Sequence, residues 1–583
     1  MIVNQTKILN KIKSPILLLI LCSFFIFNLR SLNLGSTGQP PLKSHKQRLL
    51  FQNAFNRFGD VLAISKFEGP SVKHGTRASL TFESVHNALN EQKLKFYESY
   101  ISEKVVATLK MAHMYVVSAI PETVRPDLYT GSGYVMLGGD EEDWNALLTI
   151  KKLRKTGSMY PIEVFIPPNR QRDNFLCDDI FPSLMAKCVL LTDIFGKNTL
   201  LKYQHTTEVF RILAVLGSSF KKVMYLDTNI LPLHNPENIF TSEVFQNFGM
   251  ILWPTFYRNS ISPTYYEVAG IKIENHPVRI LNDRFTDISY YQKFIDTYTD
   301  NPGSNNFHDM KGTLAESSST ESIFMVDKYF HFDTLLLSLF YANEDSNSYG
   351  SLINIAKNKH QGNRLALAAH YFKKKYYQLY KSPDRIETEG EVDRVIAHYD
   401  ASEDYKILQS NVLQTQIMLD NNEPYSYMNF YKSPWSIRTC TPMFFQIEKD
   451  DLNPFKLSKT DIYEGSNGDK RIFGKHIKIY NTDFELEIFE LINDIICKDK
   501  TKLKIFNEND FTSVCKEFLT KRIQFLKGSS NTFWEKYLYE KRSVNPVSID
   551  MKSHVQNIIN QGFARDMDFS LKAVKRNKKI FRI

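Results

Sequence analysis

The strongest chemical signal in this 583-residue chain is a tripeptide. Asp227-Thr228-Asn229 follows the apolar run Lys222-Val223-Met224-Tyr225-Leu226 and precedes Pro232. A strand that emerges into a carboxylate, with an amide two residues on, sets two oxygen-bearing side chains at the edge where parallel sheets take ligands. Oxygen donors suit Mg²⁺ or Mn²⁺. An ion held there would bridge the diphosphate of a nucleotide sugar and offset charge on the departing nucleotide. The plainer alternative is an Asp that caps the turn after the strand. Other catalytic signatures are absent from the chain: no GxGxxG fingerprint, no GxxxxGK[ST] loop, no GxSxG elbow, no HExxH and no CxxC pair.

The elements that would position this tripeptide follow from period and punctuation. Gly133-Tyr134-Val135-Met136-Leu137, closed by Gly138-Gly139, reads as a strand and turn. Trp144, Leu147 and Leu148 fall at helical spacing on a helix that runs to about Lys155. Pro161 to Ile166, ended by Pro167-Pro168, and Cys188 to Thr192 are two further strands; Phe210, Leu213 and Ala214 mark a helix before the strand that ends in Asp227. Strands separated by single helices predict an α/β fold with a mostly parallel sheet, flanking helices and right-handed crossovers. Upstream, residues 31–60 are polar with Gly35, Gly38, Pro40 and Pro41, and read as a flexible stem. Thr81 to Met114 is helix-compatible, as the end of that stem or the first support of the body, and Pro121 and Pro126 close it.

Composition limits what such a body can be. With 43% hydrophobic and 23% charged residues the chain is globular rather than disordered, and six cysteines in 583 residues make no disulfide scaffold. The net charge of +9 suggests nucleic acid until it is located. Residues 1–59 hold eight basic side chains and no acid, and the last twelve residues hold six more. Without those fourteen, 59 basic residues face 64 acidic ones, a net of −5, so the body carries no surplus of positive charge for nucleic acid.

The basic N-terminus belongs to membrane topology. Lys7, Lys11 and Lys13 precede a run from Ile16 to Phe27 and Leu29 that holds no charge. About sixteen residues rise ~24 Å as a helix, short of a ~30 Å hydrocarbon core but tolerable in a thin early-secretory membrane. Positive charge stays cytosolic, which predicts a cytosolic tail (1–13), a signal-anchor helix (14–29), a luminal stem (30–120) and a luminal body (121–583). A cleaved signal peptide, with Gly35-Ser36-Thr37-Gly38 as small residues near its cleavage site, is the competing reading. Cys177/Cys188 and Cys497/Cys515 lie near enough in sequence to close short loops; the alternative is that all are buried thiols.

Several blocks together resemble a known family. Gly133 to Pro167, Ser218-Ser219-Phe220 through Asp227, Asn235-Pro236, Ile251-Leu252-Trp253-Pro254 through Tyr257-Arg258 and Ser262-Pro263 through Gly270 come first. Phe307-His308-Asp309 through Leu314, Ser319-Thr320-Glu321-Ser322, Ala368-Ala369-His370 and Leu452-Asn453-Pro454-Phe455 follow in order. These are similar to the fungal Golgi α-1,2-mannosyltransferases that branch the outer chain of N-linked mannan. The resemblance implies a type II Golgi membrane protein of glycosyltransferase-A architecture, using GDP-mannose and Mn²⁺ and acting on an oligomannoside acceptor of glycoproteins, alone or in a complex with other mannosyltransferases.

The resemblance also implies roles. Asp227 falls on the first acid of the family's Asp-x-Asp motif and Asn229 on the second, where a neutral amide stands for the usual Asp and weakens the expected metal site. Arg211 falls where the family carries a Lys near the phosphates; the alternative is a solvated arginine on a helix surface. Trp253, Tyr257 and Arg258 resemble the wall of the sugar or acceptor site, with core packing as the alternative for Trp253. His308, Asp309 and Glu321 lie in blocks expected to line the reaction centre. Glu321 is the first choice for stabilising positive charge at the anomeric carbon, with Asp309 beside it; structural hydrogen bonding is the alternative for all three. Further departures are Gly362-Asn363-Arg364-Leu365, where the family resembles Gly-Asp-Lys-Glu, and Gln446, where it tends to show a His. Two functions stay open: a retaining α-1,2-mannosyltransferase, or a catalytically weak or inactive relative that binds mannan or partner transferases.

Overall fold

The computed structural model describes residues 45–66, 89–98, 101–279, 306–344, 349–355, 362–388, 391–406, 440–447, 452–458, 483–499, 503–506 and 511–533. The tail and anchor expected at 1–13 and 14–29 lie outside these residues. Among the described residues no helix is long and apolar enough to cross a membrane.

Helix α1 (His45–Ser65), α2 (Glu91–Tyr97) and α3 (Glu103–Ala119) precede strand β1 (Ser132–Leu137). Then come α4 (Glu142–Lys155), β2 (Ile162–Ile166), β3 (Ala186–Leu190), α5 (Thr207–Gly217), β4 (Lys222–Leu226) and β5 (Ile230–Pro232). After β6 (Met250–Arg258), β7 (Glu274–Pro277) and β8 (Met310–Lys311) the chain runs through β9 (Ser317–Asp327), α6 (Lys328–Asn343) and α7 (Arg364–Tyr371). The strands β10 (Tyr377–Gln378), β11 (Asp384–Thr388), β12 (Glu391–Tyr399) and β13 (Pro442–Ile447) lead to α8 (Phe484–Asn493).

Seven strands form the central sheet in the order β10-β6-β9-β4-β1-β2-β3. The β1/β2, β2/β3, β1/β4 and β10/β6 pairs are parallel, while β9 runs antiparallel to both β4 and β6. The sheet is therefore mixed and mostly parallel. Side chains alternate between its faces, as the two-residue period of a strand requires. Val135, Leu137, Val223 and Tyr225 join the core beneath α1, α3, α5, α6 and α7; Tyr134, Met136, Met224 and Leu226 join the core shared with α4, α8 and a second sheet. That second sheet has the order β11-β12-β13-β5, so the chain passes from one sheet to the other between β4 and β5.

Local sequence explains the helices that hold this sheet. Thr206 caps α5 by accepting from the Val209 N–H, and Glu208 in the first turn meets the positive end of the helix. Asp327 caps α6 by accepting from the Tyr329 N–H at 3.0 Å. Disulfides join Cys177 to Cys188 and Cys497 to Cys515, and Cys440 is a buried thiol.

The stem expected over 30–120 is corrected across its described part. Phe51, Phe55, Phe58 and Leu62 fall on one face of α1 and are buried in the same core as Val223 and Tyr225, together with Leu109 and Val116 of α3. The Phe55 ring lies 4.9 Å from that of Phe195. Residues 45–65 and 103–119 are thus part of the body, and the helix expected from Thr81 to Met114 is broken between Tyr97 and Glu103. Phe55→Ala is expected to lower the unfolding free energy by ~3–5 kcal/mol in urea titrations, the cost of a deleted core phenyl ring; an effect near zero would restore the stem.

Candidate active site

Strand order reverses between β1 and β4, because the chain continues from β1 to β2 and β3 on one side and returns to β4 on the other. Open α/β sheets take ligands beyond the strand ends at such a point. At the end of β1, Gly139 adopts φ +90° and donates its N–H to Asp143 Oδ1 at 2.7 Å. A Cβ at Gly139 would stand 2.7 Å from that of Arg170. Burial, opposed by this amide bond, pushes the Asp143 carboxyl up to about 7. The Thr228 hydroxyl donates to Glu142 and so ties the two strand ends together.

Asp227 ends β4 at the crossing between the sheets. Its N–H donates to Ser322 O at 2.8 Å in β9, and Ile447 N–H of β13 donates to Asn229 O at 3.0 Å. The tripeptide is clamped on both sides. Antiparallel pairing of Leu226 with Ile323 places Glu321 beyond the end of β4, beside Asp227. Asp227 shares a sheet face with Tyr225, whose hydroxyl donates to Asp227 Oδ1 at 2.6 Å. That face is covered by α5, which supplies Arg211.

A four-member charge chain results. Arg211 Nη2 lies 3.3 and 3.0 Å from the two Asp227 oxygens, and its Nη1 lies 3.6 Å from Glu321 Oε2. Arg364 Nη1 donates to the same Glu321 oxygen at 2.5 Å, and the Arg364 backbone N–H donates to Glu321 Oε1 at 3.2 Å. Burial opposes the Arg211 charge, but Asp227, Tyr225 and Glu321 outweigh it and raise its pKa. Gly362 makes the approach of Glu321 feasible: a Cβ there would stand 2.5 Å from Glu321 Cγ. Two side-chain atoms of this region are buried without a hydrogen-bond partner, Arg211 Nε and Asn229 Oδ1.

The structure thus brings together Asp227, Arg211 and Glu321, with Asn229 two residues on from Asp227. The solvated reading of Arg211 is excluded, since it is 7% exposed. Trp253 and Arg258 are corrected. Trp253 is wholly buried, donates from Nε1 to Tyr399 O at 2.9 Å and packs edge-on against Phe444, so it ties β6 to the second sheet instead of lining a pocket. Arg258 is wholly buried in an ion pair with Glu316. Tyr257 is half-buried, its carbonyl accepting from Ser318 Oγ at 2.9 Å. Asp309 and His308 are fully buried on a 3₁₀ turn that leads into β8, an element of a separate two-stranded sheet. Burial pushes the His308 imidazole down to about 3.

The other departures acquire structural partners. Asn363 Oδ1 accepts from the Ser319 N–H at 3.0 Å, Leu365 is in the core, and Gln446 Oε1 lies 3.1 Å from His398 Nε2. Arg364 and Gly362 had no role assigned in the sequence reading. The signal for them was the Gly-Asn-Arg-Leu block, where two acids give way while the cation stays.

Residues 131–416 match a mannosyltransferase family model. Over that segment the chain is similar to this mannosyltransferase family. It is 28% identical over 529 residues to α-1,2-mannosyltransferase MNN2 of Saccharomyces cerevisiae, covering 83% of this chain and 86% of that one. It is 26% identical to α-1,2-mannosyltransferase MNN23 of Candida albicans, over 76% of this chain and 79% of that one. The solved glycosyltransferase GlyE of Streptococcus pneumoniae TIGR4 superposes at a TM-score of 0.26 with 9% identity, covering 68% of this chain and 64% of that one. The matched mannosyltransferase segment contains all four members of the charge chain.

Two outcomes follow from this geometry. Gly362→Ala is expected to push Glu321 away from Arg364, costing ~1–3 kcal/mol in urea unfolding and lowering turnover while far-ultraviolet circular dichroism is unchanged. Asp143 has a raised folded pKa, so its contribution to stability is present below pH 4 and is lost as pH rises through about 7. At about 1.4 kcal/mol per unit, up to ~4 kcal/mol is at stake. Asp143→Asn is therefore expected to gain on the unmodified chain between pH 4.5 and pH 8 in paired urea titrations; a constant difference would count against the buried carboxyl.

Proposed function

We propose that this mannosyltransferase transfers mannose from GDP-mannose to a mannose hydroxyl of N-linked mannan side branches, forming an α-1,2 link with retention. The chain is an enzyme similar to the α-1,2-mannosyltransferases. The observation that carries the donor reading is the Asp227-Arg211-Glu321-Arg364 chain at the β1/β4 switch point. It sets two guanidiniums and two carboxylates where a glycosyl diphosphate needs both signs of charge.

In this reading the bond from the mannose anomeric carbon to the β-phosphate oxygen breaks, and a bond to the acceptor oxygen forms on the same face. The acceptor proton passes to the departing phosphate oxygen. Arg211 meets the phosphates, as guanidinium pairs with phosphate oxygens through directed N–H bonds. Glu321, fixed by Arg364, stands where negative potential favours the positive charge that grows at the anomeric carbon. The residues present fit a divalent ion: Asn229 Oδ1 is a buried acceptor with nothing to accept, and Asp227, two residues before it, supplies a carboxylate. Among the described residues no group of three His, Cys, Asp or Glu converges, so the remaining ligands would come from the donor phosphates. Mn²⁺ bound there supplies charge compensation for the diphosphate.

The lysines before the 14–29 run support a type II orientation with the body in the lumen, for which we propose the Golgi membrane; the mixed, mostly parallel sheet supports a glycosyltransferase-A-like fold. No observation favours the mannan-binding alternative. The full chain in detergent, given GDP-mannose, Mn²⁺ and an α-1,6-linked mannoside, is expected to release GDP and form an α-mannoside identified by proton magnetic resonance. Asp227→Ala is expected to lose at least ~100-fold of that rate, on the scale of a removed charge-stabilising group. No transfer by either chain, with mannan held on a column by both, would favour the binding protein.

A further inference from the structure

We propose that Arg211 is an internal counter-ion that locks Asp227 in the free protein, so that a divalent cation is taken up only together with the nucleotide diphosphate. The proposal rests on the donor reading above and concerns how this chain's own residues prepare the site. Both Asp227 oxygens lie within 3.3 Å of one Arg211 nitrogen, and one of them also accepts from Tyr225. The second position of the motif is Asn229, which brings an oxygen but no charge. Arg211, Asp227 and Asn229 therefore sum to zero. A cation approaching the free site meets a neutral set whose single carboxylate is already paired. With a second carboxylate at 229 the same trio would keep one negative charge even with Arg211 in place. The amide makes the lock effective.

The same geometry contains the release. Arg211 Nε is a buried donor without an acceptor, and Asn229 Oδ1, two residues on from Asp227, is a buried acceptor without a donor. Buried polar atoms left in this way cost free energy that a ligand can recover. A diphosphate offers Arg211 several anionic oxygens, including one for Nε, and a guanidinium prefers such a bidentate partner. Arg211 already spans two anions, with Nη1 3.6 Å from Glu321, so it can turn from Asp227 without losing every counter-charge. Asp227 is then released and, with the unpartnered Asn229 Oδ1, is open to a cation that the diphosphate itself helps to hold.

The test uses the full chain in detergent and reads free Mn²⁺ by electron paramagnetic resonance, alongside GDP binding by equilibrium dialysis. The unmodified chain is expected to bind Mn²⁺ at least tenfold more tightly with GDP than without, after subtracting uptake by GDP alone in the presence of Asp227→Ala. Arg211→Gln is expected to bind Mn²⁺ without GDP at least tenfold more tightly than the unmodified chain, while Arg211→Lys keeps the nucleotide requirement. Asn229→Asp, a near-isosteric change, is expected to lift the requirement in the same direction. GDP binding accompanied by equal Mn²⁺ affinity with and without it overturns the lock and leaves the donor reading standing, as does an Arg211→Gln chain, folded by circular dichroism, whose nucleotide-free affinity is unchanged. If that variant does not fold, the comparison of the unmodified chain with and without GDP decides alone. Failure of the unmodified chain to bind GDP in either condition overturns the donor reading and the lock together.

Discussion

A guanidinium is tolerated inside a protein only where carboxylates meet it, and Arg211 is met by two. That meeting depends on one strand running the wrong way. β1, β2, β3 and β4 are parallel and send their carboxyl ends to one edge of the sheet, so β4 delivers Asp227 there. Because β9 is antiparallel to β4, its beginning reaches the same edge and delivers Glu321. A parallel β9 would carry Glu321 to the opposite edge, and Arg211 would have one partner. The second sheet completes the constraint, since β5 leaves the tripeptide to pair with β13 and fixes Asn229 from the far side. Site geometry is therefore a property of topology, with the side chains adding chemistry to positions the pairing has set.

Much of the parallel half was legible because its strands are short apolar runs closed by Gly or Pro. β1, β2 and β4 fall within a residue of expectation, as do α4 and α5 around their apolar faces. The run at Cys188 was displaced: the strand is Ala186–Leu190, and helix begins at Leu191. A brief apolar run does not distinguish the end of a strand from the start of a buried helix. β9 was not legible at all. Ser317-Ser318-Ser319-Thr320-Glu321 has no apolar alternation, yet every residue is buried, because neighbours on both sides satisfy its polar groups. Gln378 Nε2 donates to Ser319 Oγ and Asn363 Oδ1 accepts from the Ser319 N–H. Those partners are 59 and 44 residues away in sequence.

The errors at Trp253 and Arg258 share this cause. An indole or a guanidinium has the same chemistry in a core as at a site, and what decides is the group opposite. For Trp253 that group is the Tyr399 carbonyl, 146 residues on, and for Arg258 it is the Glu316 carboxylate. The N-terminal helices differ. Phe51, Phe55, Phe58 and Leu62 repeat at helical spacing, so the buried face of α1 was present as a pattern. The Gly and Pro residues just upstream, Gly35, Gly38, Pro40 and Pro41, favour the stem reading over that pattern.

The substitutions that first suggested a failing enzyme have a consistent electrostatic explanation. Asn363 has one task in the described contacts, to accept a backbone N–H from Ser319, and an amide oxygen does this as well as a carboxylate. A carboxylate at 363 would add a negative charge to the segment packed against Glu321, in sequence between Gly362 and the arginine that neutralises Glu321. The chain as it stands is balanced, two carboxylates against two guanidiniums, all of it largely withdrawn from water. Like charges at such short range in a poorly screened site are costly, so the neutral residue at 363 and the paired state of Glu321 support each other. The neutral residues at 363 and 365 therefore leave the four-member chain balanced, and the carboxylates that touch the guanidiniums, Asp227 and Glu321, are the ones retained.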